Sequence, residues 1–447
     1  MADFSSTFYK EPVPLNSPHR RRLAFLLALL ASASTWFYVN RILRVQQISY
    51  AAAHDQPRGN LSDLYPRWLG ARELLKHHRN PYAPEITREI QQGYYGRPLD
   101  PSRRDDPKDQ QGFAYPVYVV FLLAPTVELP FDTLQTAFRW TLIVLAAATV
   151  CLWLRALRWK ISFGWFLILG VLMVGWLPMV QGIKLQQLSL LVAAILAACA
   201  ACLSAEWLFL AGGLLALATI KPQLAWPVVL WLLSWAVSDW RSRRRFVFGF
   251  GLVMLLLLSG AQLLLPGWMG MFFAAIRQYH QYTQNQSVLV VLFGSIAGHI
   301  LEVVSVLACA LCLRNAGREP STTAAFGQSL ALVLALTVVI VPMFAPYNQV
   351  LLVPAILVLL RSEISGDPTL PAIRKARVLG GIFLFWPWVA TLALTGASVW
   401  LTPELRQNVY LMPFFANFML PVFVFGLALG DVWANSARNL RDYTPAE

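Results

Sequence analysis

The groups in this sequence that could move a proton or hold an anion are few, and most stand at the ends of apolar runs. Asp63, in Leu61-Ser62-Asp63-Leu64-Tyr65, is a carboxylate just ahead of an amphipathic segment. Held at a membrane surface, it could act as general base towards a hydroxyl. As a helix N-cap or first-turn acid it would have only a structural role. Lys221, in Ala218-Thr219-Ile220-Lys221-Pro222-Gln223, sits between two apolar runs with almost no loop. A lysine there is costly unless it reaches water or a partner. It either snorkels to the interface or binds a phosphate as a point charge. Lys184, beside Gln186 and Gln187, is placed in the same way. Arg277, Tyr279, His280 and Tyr282 lead into Asn285-Gln286-Ser287, where a loop re-enters an apolar run, and Pro346-Tyr347-Asn348-Gln349 breaks another. Amides at such breaks can bind sugar hydroxyls or satisfy backbone groups freed by the break. His299 and Glu302, three residues apart within a run, suit either proton transfer or a tie between helices.

These residues ride on a chain of 447 residues that is 57% hydrophobic and 13% charged. A soluble domain carries about 25% charged residues, so the composition reads as a polytopic, all-α membrane protein. Runs of about 20 apolar residues, long enough to cross a bilayer, recur from Leu23 to Gly430. Seventeen Trp and 14 Tyr suit interfacial belts. Thirteen runs are visible, but both ends of the chain are flanked by basic residues and are expected in the cytoplasm. An even number of crossings, about 12, follows. The run at 117–130 is short and holds Pro125, which makes it the leading candidate for a re-entrant segment.

The net charge of +13 gathers in His19-Arg20-Arg21-Arg22, Arg241-Ser242-Arg243-Arg244-Arg245 and Arg374-Lys375-Ala376-Arg377. Short basic loops stay in the cytoplasm, so this charge is topological, and no nucleic-acid partner is expected. All five cysteines lie within apolar runs, two pairs with C-x-x-C spacing. Without His or carboxylate neighbours they read as packing residues.

The expected organisation is a cytoplasmic segment 1–22, a single membrane domain 23–430 and a cytoplasmic tail 431–447. The first run, with no cleavage site, reads as an uncleaved anchor. It leads to an extracytoplasmic loop at about 44–112. In the front half of that loop Leu61, Leu64, Trp68, Ala71 and Leu75 recur at helical spacing, the pattern of an interfacial helix. The back half, about 96–112, is charged and Pro-rich and reads as a flexible flap whose Asp105-Asp106 is solvated. With the Arg241–Arg245 cluster inside, the Gln181–Gln187, Lys221–Gln223, Pro266–Gln286, Pro346–Gln349 and Ser398–Asn408 stretches all fall outside.

In this order the motifs resemble glycosyltransferase family 87 of the GT-C superfamily, which includes mycobacterial polyprenyl-phosphate-mannose-dependent mannosyltransferases. The likeness covers about residues 20–365. It is carried by Asp63-Leu64-Tyr65, Asn80-Pro81-Tyr82, Phe113-Ala114-Tyr115-Pro116, Gln186-Gln187-Leu188-Ser189-Leu190-Leu191, Gly212-Gly213 through Ile220-Lys221-Pro222-Gln223, Asn285-Gln286-Ser287 and the Pro346 corner. The resemblance implies a GT-C bundle, a polyprenyl-phosphate sugar donor, a lipid or glycan acceptor, and a site on the outer face of a bacterial plasma membrane. It implies inverting displacement with Asp63 as base. Lys221, Lys184 and Arg277 are the candidates to hold the donor phosphate. Tyr65, Tyr115, Gln186, Gln187, Gln223, His280, Asn285, Gln286, Tyr347, Asn348 and Gln349 are the candidates to bind sugar or acceptor. No cofactor is expected, and since no Asp-x-Asp cluster suits a divalent ion, a metal role is left open. The likeness departs at two places. Asn348 and Gln349 stand where members often carry His, and Gln186-Gln187-Leu188-Ser189 replaces a Gly-Gln-x-Asn pattern. The sugar is therefore not carried over.

Two other classes fit the composition. A flippase or transporter of a lipid-linked substrate would centre on His299 and Glu302, and an O-antigen ligase or polymerase would carry its large outer loop late in the chain rather than early.

Overall fold

In a computed structural model, residues 18–54, 56, 62–100, 102–283, 286–314, 316–342, 345–365, 371–398, 400 and 408–441 are described. Among them the chain is all helix and turn, with no strand. Residues 1–17 of the expected segment 1–22, Leu61, Asn285, most of the 398–408 loop and residues 442–447 of the expected tail lie outside the described residues.

The first helix, α1 (Pro18–Phe37), runs through a π-turn at Tyr38–Leu43 into α2 (Arg44–Ala53). Two amphipathic helices follow, α3 (Tyr65–His77) and α4 (Pro84–Tyr95), each opened by a proline in its first turn. There Pro loses no hydrogen bond and its φ is already helical. The run at 117–130 is a short α5 (Val119–Leu123) ending in a 3-10 turn through Pro125. Five α-helical residues rise only ~8 Å. This segment is not a span and packs under α3.

The remainder is a bundle: α6 (Phe131–Ala156), α7 (Phe163–Val174), α8 (Leu177–Lys184), α9 (Leu188–Ser204), α10 (Leu208–Ala218), α11 (Pro222–Ser238), α12 (Trp240–Leu264), α13 (Trp268–Thr283), α14 (Val288–Phe293), α15 (Ser295–Leu313), α16 (Ala324–Ile340), α17 (Val353–Ser365), α18 (Pro371–Ala397) and α19 (Ala416–Arg441). Several apolar runs are bent or broken. Helices α7 and α8 meet at 56°. Gly294, at φ +80°, separates α14 from α15, a conformation that glycine adopts without strain. Among the described residues seven helices are long and apolar enough to span a membrane, or eight if the bent pair is one span. Four shorter apolar helices, α9, α10, α11 and α16, stand beside them. Length and composition therefore give seven or eight spans, and the expected twelve requires the short helices as well.

The two ends of the bundle differ in chemistry. At one end arginines close the turns. The Arg243 guanidinium lies 4.2 Å from the centre of the Trp235 ring and donates to the carbonyls of Trp235 (2.7 Å) and Gly317 (2.5 Å). Arg361 donates to the Leu157 carbonyl and Arg158 to that of Ser204. Arg377 bridges Glu363 and Asp431, each at 2.9 Å. Some of the basic residues read as topological charge are thus also ties between helices. The opposite end carries α3, α4 and the loop beyond them.

That loop corrects the expectation of a mobile flap. Arg97 forks both terminal nitrogens onto the Asp106 carboxylate, which also accepts from the Asp100 N–H at 2.8 Å. Asp106 is therefore paired rather than solvated, and its Arg97 partner holds its carboxyl below the usual range. Gln91 of α4 clamps both ends of the segment. Its Oε1 accepts from the Leu99 N–H and its Nε2 donates to the Gln110 carbonyl, each at 3.1 Å. The Tyr95 hydroxyl adds a bond to the Asp109 carbonyl at 2.8 Å. The charges that read as solvation serve to fold the loop on itself.

Candidate active site

Asp63 lies one residue before the residue that caps α3, which is Leu64. Its side chain is not a helix cap. Its backbone N–H donates to the Leu185 carbonyl at 2.9 Å, tying the start of α3 to the turn between α8 and α9. Arg67, four residues on and so on the same helical side, donates to the Asp63 carbonyl at 2.5 Å. The carboxylate is left to face inward. Gln187 Nε2 donates to Asp63 Oδ2, and the Tyr94 hydroxyl donates to Oδ1 at 3.5 Å.

Gln187 owes its direction to its neighbour. Gln186 is in the left-handed region at φ +49°, the conformation that commonly reverses a chain after a helix. Its own Nε2 donates to the carbonyls of Ile183 and Lys184, both at 2.7 Å, and its Oε1 accepts from Gln135 at 3.2 Å. Gln186 is thereby spent on closing α8, and Gln187 is thrown towards Asp63.

Lys221, the residue that opens α11, is buried and points at the same group. Its Nζ donates to Gln187 Oε1 at 3.3 Å and to Ser189 Oγ at 2.5 Å. Ser189 in turn donates to Asn348 Oδ1 at 2.9 Å. The Tyr347 ring centre lies 5.3 Å from the ammonium. A continuous path therefore runs Asp63–Gln187–Lys221–Ser189–Asn348. It joins the loop ahead of α3, the α8–α9 turn, the α10–α11 turn and the Pro346 corner. Among the described residues no carboxylate lies within ion-pairing distance of Lys221. The ammonium also bonds the Tyr115 phenol and feels the Asp63 carboxyl, but no described carboxylate pairs with it directly, which leaves it short of counter-charge and suits it to an incoming anion.

The Arg67 guanidinium lies 4.5 Å from the centre of the buried Tyr115 ring, and its Nε has no hydrogen-bond partner among the described residues. Asp109, in the folded-back loop, accepts from the Gln111 backbone and side chain, each at 2.9 Å, and acts electrostatically on both Asp63 and Arg67. Burial pushes the Asp63 carboxyl up to about 6; Arg67 pulls it down, Asp109 raises it further, and Lys221 and Tyr94 lower it. Burial also raises Asp109. At Tyr115 burial acts upward, but Lys221 and Arg67 outweigh it and leave the phenol below its ordinary value. A carboxyl near 6 beside the buried Lys221 and the half-buried Arg67 could take a proton near neutral pH while the cations meet an anion. Among the described residues no three His, Cys, Asp or Glu side chains meet.

Of the candidates named from the sequence, the structure gathers Asp63, Lys221, Gln187, Asn348, Tyr347 and Tyr115. It directs others elsewhere. Tyr65 packs edge-on against Phe131 and beside Trp68. Gln349 is fully buried and donates to the Asn417 carbonyl at 2.8 Å, binding the Pro346 corner to α19. Arg277 and His280 are exposed on α13, Gln286 is exposed beyond it, and Gln223 is half-buried in the first turn of α11. Lys184 is half-buried, its carbonyl taken by Gln186. Sequence reasoning missed Arg67, Tyr94, Ser189 and Asp109. Two carried a signal: Arg67 by its spacing of four from Asp63, and Ser189 by its place in the Gln186-Gln187-Leu188-Ser189 motif.

The His299–Glu302 pair does not form part of a central path. His299 is exposed on α15 and its Nδ1 pairs with the Ser295 carbonyl of its own helix at 2.5 Å. Cys199 is buried, its thiol donating to the Ala211 carbonyl, as a packing residue would.

Against known families, the model described as Glycosyltransferase family 87 matches residues 113–358, more than half the chain. The matched stretch holds Tyr115, Gln187, Ser189, Lys221 and Asn348; Asp63, Arg67 and Tyr94 precede it. No curated protein and no solved structure matches the chain.

Proposed function

The chain belongs to glycosyltransferase family 87, and from that premise we propose that it transfers a hexose or pentose from a polyprenyl-phosphate sugar to an acceptor hydroxyl, with inversion. Asp63 takes the acceptor's hydroxyl proton. The freed oxygen attacks the anomeric carbon from the face opposite the phosphate. The bond from that carbon to the phosphate oxygen breaks, and its electron pair leaves with polyprenyl phosphate. One new glycosidic bond replaces one glycosyl-phosphate bond, and the proton rests on Asp63.

The observation that carries this reading is the Gln187 amide, which holds a carboxyl raised to about 6 at one end and a buried ammonium with no directly paired carboxylate at the other. A base and a cation at fixed separation are what an inverting displacement with an anionic leaving group needs. The ammonium of Lys221 is assigned to the leaving phosphate, and the half-buried Arg67, with its free Nε, to the same charge from the Asp63 side. Asn348 orients Lys221 through Ser189. These two cations supply positive charge to the leaving phosphate. The cluster lies at the end of the bundle opposite the arginine-tied turns. By the positive-inside rule that end is extracytoplasmic, where a lipid-borne donor is presented.

The test uses the full chain in lipid nanodiscs with radiolabelled polyprenyl-phosphate mannose and a pentosyl counterpart as probe donors. Transfer to an extractable lipid or glycan acceptor is expected in the wild type, with a loss of about 10³-fold or more in Asp63→Asn. Undiminished transfer by Asp63→Asn, or transfer from nucleotide sugars alone, would overturn the assignment.

A further inference from the structure

A cavity lies at the other end of the bundle, far from Asp63, between the end of α6, the start of α7 and the α9–α10 turn. It measures about 850 Å³, inside the ~300–1,000 Å³ range of ligand sites. Three cations line it, Arg155, Arg158 and Lys160, together with Phe163, Phe166 and Ser204, and no Asp or Glu contributes to its wall. Among the described residues none of the three cations forms an ion pair. Each is exposed, so the charge is available.

Arg158 is presented in an unusual way. It follows the cap of α6 in the left-handed region at φ +51°, where glycine is the common residue and a residue with a Cβ is strained. Its guanidinium is fixed by bonds to the Ser204 carbonyl (3.0 Å) and hydroxyl (3.4 Å). The groove is thus built by a strained arginine locked to a neighbouring turn. Its apolar side continues onto the lipid face of α7, where Phe163 is 72% exposed.

We propose that this groove binds an anionic glycerophospholipid of the surrounding bilayer. Its phosphate is held by Arg155, Arg158 and Lys160, and the upper part of its acyl chains lies along Phe163 and Phe166. A soluble anion would use the cations but leave the aromatic wall idle, and a zwitterionic lipid would place its own positive head against three fixed ones. Basic pockets between helices at a membrane face recognise headgroups of this kind.

Native mass spectrometry of the delipidated full chain, offered equal phosphatidylglycerol and phosphatidylcholine, tests the site. The wild type should retain phosphatidylglycerol preferentially. Arg155→Gln with Lys160→Gln, which leaves the Arg158–Ser204 tie in place, should weaken that retention roughly fivefold per charge removed. Arg244→Gln with Arg245→Gln removes the same charge from the same end outside the groove and should change retention less than twofold. Equal retention of the two lipids by the wild type, or equal loss in both double variants, would overturn the proposal. The second outcome would show that diffuse surface charge alone attracts the lipid.

Discussion

A single amide joins Asp63 to Lys221: Gln187 gives its N–H to the carboxylate and its carbonyl oxygen to the ammonium. The two charged side chains come from loops 158 positions apart in the chain and have no shared partner other than this one in the path described. In the proposed reaction Gln187 would be a positioning residue, acting through the two groups it holds.

Gln187→Glu keeps the acceptor for Lys221 but removes the donor to Asp63 and sets a negative charge beside it. The kcat should fall about 10–100-fold, as for other residues that orient reacting groups. The low-pH limb of the activity profile should move upward, because the added charge raises the Asp63 pKa further. A purely structural role for Gln187 would lower the amount of folded protein and leave that limb in place.

The pH dependence has a fixed sign. The base works when deprotonated, so kcat/KM should fall as pH drops through about 6 and be level above it. Asp109→Asn removes one of the influences that raise the Asp63 carboxyl, and should shift the limb to lower pH. A profile flat down to pH 4.5 in the wild type would exclude Asp63 as the base.

Stability should move opposite to activity in Asp63→Asn. The folded-state carboxyl titrates near 6 and the unfolded one near 3.8. Between these values the folded state holds more protons, so its stability falls as pH rises through that window. The neutral Asn escapes this loss. Thermal unfolding should show Asp63→Asn gaining a degree or two on the wild type at pH 7.5 and little at pH 4, the stability–activity exchange expected of a strained functional site.

Helices α10 and α12 cross at two glycines. A Cβ on Gly212 would lie 2.0 Å from the Phe246 carbonyl oxygen, and one on Gly249 would lie 2.0 Å from that of Phe209. Backbone cannot yield as a side chain can, so Gly212→Ala should force the helices apart at a cost of about 1–3 kcal/mol, read as a lower unfolding midpoint. Gly251→Ala, two positions further along α12, meets nothing within 4 Å and should be neutral or slightly stabilising.

The membrane class and the apolar helices were legible because hydrocarbon imposes a length and a composition that few sequences match by chance. The bends were not. The 56° break before Leu177 depends on how that stretch packs, and composition alone reads it as one span; residues 117–130 were the exception, marked as a candidate re-entrant segment by their shortness and Pro125. At the site, the resemblance pointed to Asp63 and the local sequence did not, since an acid before an amphipathic helix reads equally well as a cap. The adjacent glutamines show the limit most clearly. Nothing in Gln186-Gln187 says which amide turns back on its own helix, because that is decided by one left-handed backbone angle. Asp109 was hidden for a different reason. Charged, Pro-rich stretches usually stay in water, and only the pairing of Arg97 with Asp106 and the clamp from Gln91 fold this one inward.

Helices α9 and α11, which carry Gln187's neighbour Ser189 and Lys221 at their site ends, are 17 residues each. They rise about 26 Å against a hydrocarbon layer of about 30 Å. With their far ends at the opposite headgroup level and no thinning of the bilayer around them, their site ends would stop short of the near headgroups, in a dimple. The proposed donor, tethered by an isoprenoid tail, would reach that depth without leaving the leaflet, whereas a water-borne sugar nucleotide would have to be dragged down to it. Bilayer thickness thereby becomes a control on the reaction: thicker membranes should bury the dimple deeper and slow whichever substrate enters from the water.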